Sequence, residues 1–160
     1  MKKNIAIFII VTGALAITAC SQESSQSIAR SRSAAQYSSN FDPGKIARGA
    51  KIFEENCAQC HGPQAQGHPD WGTPGDGSFA AAPPLDGNGN EHKRTKSELL
   101  NVIRNGARKN GLELMPAWQR RLSNQEIEAV VTWFQSLWPP EVYKEWHTAN
   151  SANPSPGAKP

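Results

Sequence analysis

Cys57-Ala58-Gln59-Cys60-His61 is the stretch on which the reading of this chain turns. Two thiols three positions apart on one helical turn, followed at once by an imidazole, suit a porphyrin. The thiols can add to two vinyl groups on neighbouring ring edges, and the His then faces the iron. The same cysteines fit two other chemistries. A redox-active dithiol belongs in a βαβ unit, and a structural zinc site takes about four ligands, usually with a second Cys or His pair at matching spacing. The sequence supplies neither context: no strand alternation flanks the motif, and His68, His92 and His147 are scattered. The motif therefore points to one covalently attached haem c, with Cys57 and Cys60 as attachment points and His61 as the proximal iron ligand.

Upstream of this motif, Asp42-Pro43 is a helix start, a capping acid followed by Pro at the first helical position. The spacing of Ile46, Gly49, Ala50 and Phe53 predicts that this helix continues to about Asn56. Thr95-Lys96-Ser97-Glu98 predicts a capping box, with Leu99, Val102 and Ile103 on one face and Gly106 as the stop. Ser123-Asn124-Gln125-Glu126 predicts another and opens the strongest periodic run, Ile127, Val130, Val131, Phe134, Leu137 and Trp138, closed by Pro139-Pro140. No stretch shows sustained strand alternation, and no internal repeat is present. The expected fold class is all-α, three main helices joined by long loops. Residues 62–90 are rich in Gly and Pro and carry no periodicity. A connection that long needs an organiser, and a large flat apolar ligand wrapped by the chain supplies one.

An attached haem leaves a sixth iron position. Met1 and Met115 are the two methionines, and Met1 leaves with the export signal described below. Met115 lies between the second and third predicted helices, in a loop bounded by Gly111 and Pro116 that can cross the distal face. His/Met ligation is the pattern of c-type electron carriers, so Met115 is the expected distal ligand.

With these residues in place, residues 42–146 resemble a mono-haem class I cytochrome c. The resemblance rests on a helix leading into C-x-x-C-H, a middle helix, a Met loop, a final helix, and Pro83-Pro84-Leu85-Asp86-Gly87, which matches the family's Pro-x-Leu-x-Gly segment. It implies that the Pro83 carbonyl accepts the Nδ1 proton of His61, although a plain turn would also account for Pro83. It implies that Leu85 packs on the haem, and that Gly49 and Phe53 meet Phe134 or Trp133 where the terminal helices cross. The 21 residues between His61 and Pro83, among them His68, Trp71 and Phe79, exceed the compact family pattern. The ending 138–146 looks like an extension of some bacterial periplasmic members. Trp118, Trp138 and Trp146 are expected to serve packing, and His92 and His147 to face solvent.

The amino terminus reads as an export signal. Lys2 and Lys3 precede an apolar run from Ile5 to Ala19, shorter than the ~20 residues a spanning helix needs. Ile17-Thr18-Ala19-Cys20 resembles the lipobox of bacterial lipoproteins, which makes Cys20 the expected lipidation site. A plain cleaved signal, or a short uncleaved anchor with Cys20 incidental, fits the same run. Each places the remainder outside the cytoplasm, on the periplasmic side of a bacterial membrane. The expected organisation is signal 1–19, lipidated Cys and Ser-rich tether 20–41, cytochrome domain 42–146 and disordered tail 147–160. A flexible tether of this length spans on the order of 25 Å.

Composition narrows the function classes. The 160 residues carry 17 basic and 14 acidic side chains, and without the first 19 residues 15 basic remain against 14 acidic, a charge of +1. That balance removes the case for nucleic acid. About a third of the remainder is apolar, thin for a self-sufficient core and consistent with a buried cofactor. Charge is uneven, however: Lys93, Arg94, Lys96, Arg104, Arg108, Lys109, Arg120 and Arg121 stand against Glu98 and Glu113. Such a cluster can dock an acidic redox partner or be a solvated face that neutralises haem propionates. His/Met ligation leaves iron no open position and favours one-electron exchange, so redox protein partners are expected and a small-molecule substrate is not. Two other functions share the motif: a haem protein whose Met115 bond opens for a small ligand or peroxide, and a cytochrome subunit fixed in a larger oxidoreductase complex.

Overall fold

Asp42 starts the first helix as its position requires. Its side chain accepts the Lys45 N–H at 2.8 Å, and Pro43 occupies the first turn, where a missing N–H costs nothing. The computed structural model describes residues 41–73 and 81–152. Within them the elements are α1 (Pro43–Asn56), α2 (Ala58–His61), a 3-10 turn (Glu91–Lys93), α3 (Lys96–Asn105), β1 (Ala107–Lys109), β2 (Leu112–Met115), α4 (Asn124–Ser136) and α5 (Pro140–Ala152). Both predicted capping boxes are formed, Thr95 with Glu98 on α3 and Ser123 with Glu126 on α4.

The principal contact is α1 crossing α4. Gly49 lies against the Ala129 carbonyl, where any Cβ would collide with backbone. Phe53 stacks obliquely on Trp133 with centroids 4.3 Å apart, so of the two expected partners Trp133 makes the ring contact. Lys45–Glu128 at 3.0 Å and Arg48–Glu126 at 3.2 Å flank the crossing. Beneath it, Phe53, Ile127, Val130, Val131 and Phe134 are essentially inaccessible. Each such side chain contributes about 1.5–3 kcal/mol on burial.

Four expectations are corrected. First, β1 and β2 form an antiparallel hairpin where none was expected. Its connection is Asn110-Gly111, both at positive φ, 51° and 82°. An Asn-Gly pair specifies this two-residue turn, while strands of three and four residues are too short to display alternation. Second, Pro139-Pro140 closes α4 but also opens α5, since Pro is tolerated in a first turn. The ordered chain therefore passes the 146 boundary and reaches Ala152, held where the Asn150 side chain accepts the Lys96 N–H at 2.8 Å. Third, Phe41, placed at the end of the tether, is buried and stacks on Tyr143 at 4.7 Å. Fourth, α4 stops at Ser136, so Leu137 turns outward, 39% exposed, instead of continuing the apolar face.

Candidate functional site

The Cys/His motif is a turn of its own. Cys57 breaks α1 at φ −117°, its N–H still donating to the Phe53 carbonyl at 2.8 Å, and α2 then turns tightly with the His61 N–H donating to the Cys57 carbonyl at 3.0 Å. Gly62 ends α2 at φ 76°, a value that glycine adopts without strain.

His61 is buried, and its Nδ1 lies 2.8 Å from the Pro83 carbonyl oxygen. A carbonyl can only accept, so Nδ1 carries the proton and Nε2 keeps its lone pair. Burial holds the imidazole below the usual histidine range, with the bond to Pro83 acting in the opposite sense. Neutral, Nδ1-protonated imidazole is the form that binds a metal through Nε2. The chain around this contact is laced by backbone bonds: Gly67 N–H to the His61 carbonyl at 2.7 Å, His68 N–H to Ala82 at 2.9 Å, and Leu85 N–H to Ala65 at 2.7 Å. Residues 62–68 and 81–85, part of the loop expected to need an outside organiser, thus organise each other.

Cys57 and Cys60 are free thiols, Cys57 half-buried and Cys60 exposed. Burial, and secondarily Cys60, push the Cys57 thiol up to about 11. Among the described residues no group of three or more His, Cys, Asp or Glu stands close enough together to hold a metal ion. Met115 ends β2 and, like Leu85, Cys57 and Ala58, is partly buried against the same apolar core. Gly106, at φ 71°, lets the end of α3 approach the Met115 carbonyl so closely that a Cβ would collide with it. An apolar face next to two free thiols and a buried, correctly protonated imidazole fits a covalently attached haem. Beside the motif lies a cleft of about 540 Å³ lined by Ala58, Cys60, Gly67, His68, Trp71 and Pro84. Cys20 and Phe79 lie outside the described residues.

Of the scattered histidines, His147 is exposed as expected, but His92 is half-buried, and its Nδ1 finds no partner among the described residues. Arg108, Lys109, Arg120 and Arg121 are exposed, and among the described residues none pairs with a carboxylate. Arg121 instead lies over the Trp118 ring, 5.8 Å from its centroid. Two polar contacts escaped the sequence reading. Trp138 Nε1 donates to the Leu85 carbonyl at 2.9 Å, and Trp146 Nε1 to the Arg94 carbonyl at 2.7 Å. The available signal was that a buried indole needs an acceptor.

Residues 44–134 match the family described as cytochrome C oxidase, cbb3-type, subunit III. The chain belongs to this family. It is 35% identical over 96 residues to the cbb3-type cytochrome c oxidase subunit CcoP of Azospirillum sp. (strain B510), covering 60% of this chain and 30% of that protein. It is 36% identical over 91 residues to subunit FixP of Bradyrhizobium sp. (strain ORS 278), covering 57% and 27%. The chain thus spans less than a third of these relatives' length. No solved structure matches it. The cbb3-type subunit III match and the helical architecture make this a mono-haem class I cytochrome c domain with covalent haem c as its cofactor. No helix among the described residues is long and apolar enough to cross a membrane.

Proposed function

We propose that this chain is a one-electron carrier anchored by a lipid at Cys20 to the periplasmic face of a bacterial membrane, passing electrons between redox protein partners. In this reading Cys57 and Cys60 would form the thioethers, His61 and Met115 would bind the iron, the Pro83 carbonyl orients His61 and Leu85 would pack on the ring. Residues 20–40 act as the tether. The observation that carries the reading is the His61–Pro83 contact, 2.8 Å long, which fixes a buried imidazole in the protonation state of a metal ligand directly after two free thiols. Bound haem c supplies an iron that cycles between ferrous and ferric states. The protein's part is to hold Nε2 and the Met115 thioether on that iron, exclude water and keep the geometry unchanged as the electron arrives. A thioether stabilises the ferrous state relative to harder ligands and raises the potential. Extraction with acidified organic solvent tests the attachment: the haem stays with the chain if Cys57 and Cys60 form thioethers and is extracted if neither does.

A second reading is favoured by the relatives, whose names describe subunits of an oxidase. In it the domain is a fixed subunit of an oxidoreductase complex, and the tether and α5 serve assembly. Purification from detergent-solubilised membrane separates the two: a single haem-bearing chain supports the mobile carrier, and stoichiometric companions support the subunit.

A further inference from the structure

The role of the 138–146 extension follows from what its first tryptophan holds. Pro83 and Pro84 have no backbone N–H, so the segment that presents the Pro83 carbonyl to His61 cannot be fixed through its own donors. It is held from either side instead. The Ala82 carbonyl accepts the His68 N–H at 2.9 Å, and the Leu85 N–H donates to Ala65 at 2.7 Å. Both of those partners lie in the loop that leaves His61, so both move with it. The third hold comes from elsewhere: the indole N–H of Trp138 donates to the Leu85 carbonyl at 2.9 Å across 53 residues of sequence. Trp138 is itself immobilised, 2% exposed, packed edge-on to Trp146 with centroids 5.6 Å apart and bounded by Pro139, which abuts Gly87.

We infer that Trp138 is a positioning residue for the proximal ligand: by gripping the Leu85 carbonyl, its indole N–H keeps the Pro83 carbonyl aligned on His61 Nδ1. The inference rests on the axial role proposed for His61. The chemistry is that of an outer hydrogen bond to a metal-bound imidazole. A well-aligned acceptor draws the Nδ1 proton away, makes Nε2 a stronger donor and favours ferric iron. Releasing the Leu85 carbonyl lets the Pro83–Pro84 segment drift, which weakens that donation. Trp146, eight residues further along the extension, donates its indole N–H to the Arg94 carbonyl and touches the Leu85 grip only through its ring contact with Trp138, which a phenylalanine ring keeps.

The test uses the full-length holoprotein and compares Trp138→Phe with Trp146→Phe, each of which removes one indole donor and keeps an aromatic ring. The readouts are solvent exchange of the His61 Nδ1 proton, followed by NMR, and the midpoint potential. Trp138→Phe is expected to speed that exchange by up to about tenfold, the factor that the net loss of one hydrogen bond gives, and to shift the potential upward. Trp146→Phe is expected to leave both at wild-type values even where it costs similar thermal stability. Wild-type exchange and potential in Trp138→Phe, whatever its melting temperature, would overturn the inference. If the Phe variant does not accumulate, replacement of Trp138 by 3-benzothienylalanine removes only the N–H from an indole-shaped side chain, and the same two outcomes decide. Failure of the underlying ligation reads out separately, in wild type alone, as absence of a haem-shifted His61 ring signal.

Discussion

Gly49 in α1 lies directly against the Ala129 carbonyl of α4, with no space between them for a methyl group. The collision is with backbone, which cannot rotate aside, so the helices must separate to admit a side chain. Gly49→Ala gains up to about 1 kcal/mol of helix propensity and loses about 1–3 kcal/mol to overpacking. The loss wins, because Phe53 and Trp133 are pulled apart as well. Thermal melts of the holoprotein should show Gly49→Ala below wild type and Gly49→Val below both; an unchanged melting temperature would mean that the crossing is looser than this contact requires.

Acid should loosen the same crossing through Glu126. Its carboxylate accepts the Ser123 N–H at 2.8 Å and the Ser123 hydroxyl at 2.8 Å, and it pairs with Arg48 at 3.2 Å. The bonds from Ser123, and after them Arg48, hold its folded pKa below the ordinary value of 4.5. The unfolded chain therefore takes up this proton more readily than the folded one. The stabilisation is complete above the unfolded value and is lost as pH falls through the folded one. Denaturant titrations should show Glu126→Gln less stable than wild type at pH 7, with the gap closing as the pH falls below the ordinary value of 4.5; a constant gap would show that titration of Glu126 plays no part.

The exposed basic side chains Arg108, Lys109, Arg120 and Arg121 should make electron exchange sensitive to charge and salt. Attraction between charges separated by more than about 10 Å is largely screened at 0.1 M ionic strength. Oxidation of the ferrous protein by hexacyanoferrate(III) should slow as salt is added, and the Arg120→Glu/Arg121→Glu double variant should be slower at low salt and flatter in its salt response. Equal salt slopes for the variant and wild type would place the exposed haem edge away from this cluster.

Cys20→Ser should release the holoprotein from membranes into the periplasmic soluble fraction without altering its visible spectrum. Continued membrane retention would point to an uncleaved amino-terminal anchor or to a fixed place in a complex.

The site was more legible than its supports. Cys57, Cys60 and His61 announce themselves because covalent haem chemistry constrains residue type and spacing over five positions, and capping boxes mark helix starts through local hydrogen bonds. Elements defined by length or by distant contact were harder to see. Pro140 looked like a stop because Pro forbids the helix interior, yet its position in a first turn let α5 begin there. Phe41 looked like tether because its neighbours are polar, and its contact with Tyr143 lies a hundred residues away in sequence. The donor role of Trp138 depends on the acceptor opposite it, Leu85, which no local pattern connects to it.

Visible spectra of oxidised and reduced wild type and Met115→Ala test most directly the proposed ligation of the iron by both His61 and Met115. Ferric wild type should show the long-wavelength sulfur-to-iron band, and reduced wild type should not take up carbon monoxide without denaturant. Met115→Ala should lose the band and bind carbon monoxide rapidly and stoichiometrically. A wild-type protein that lacks the band, or binds carbon monoxide as fast as the variant, would rule out Met115 as an iron ligand.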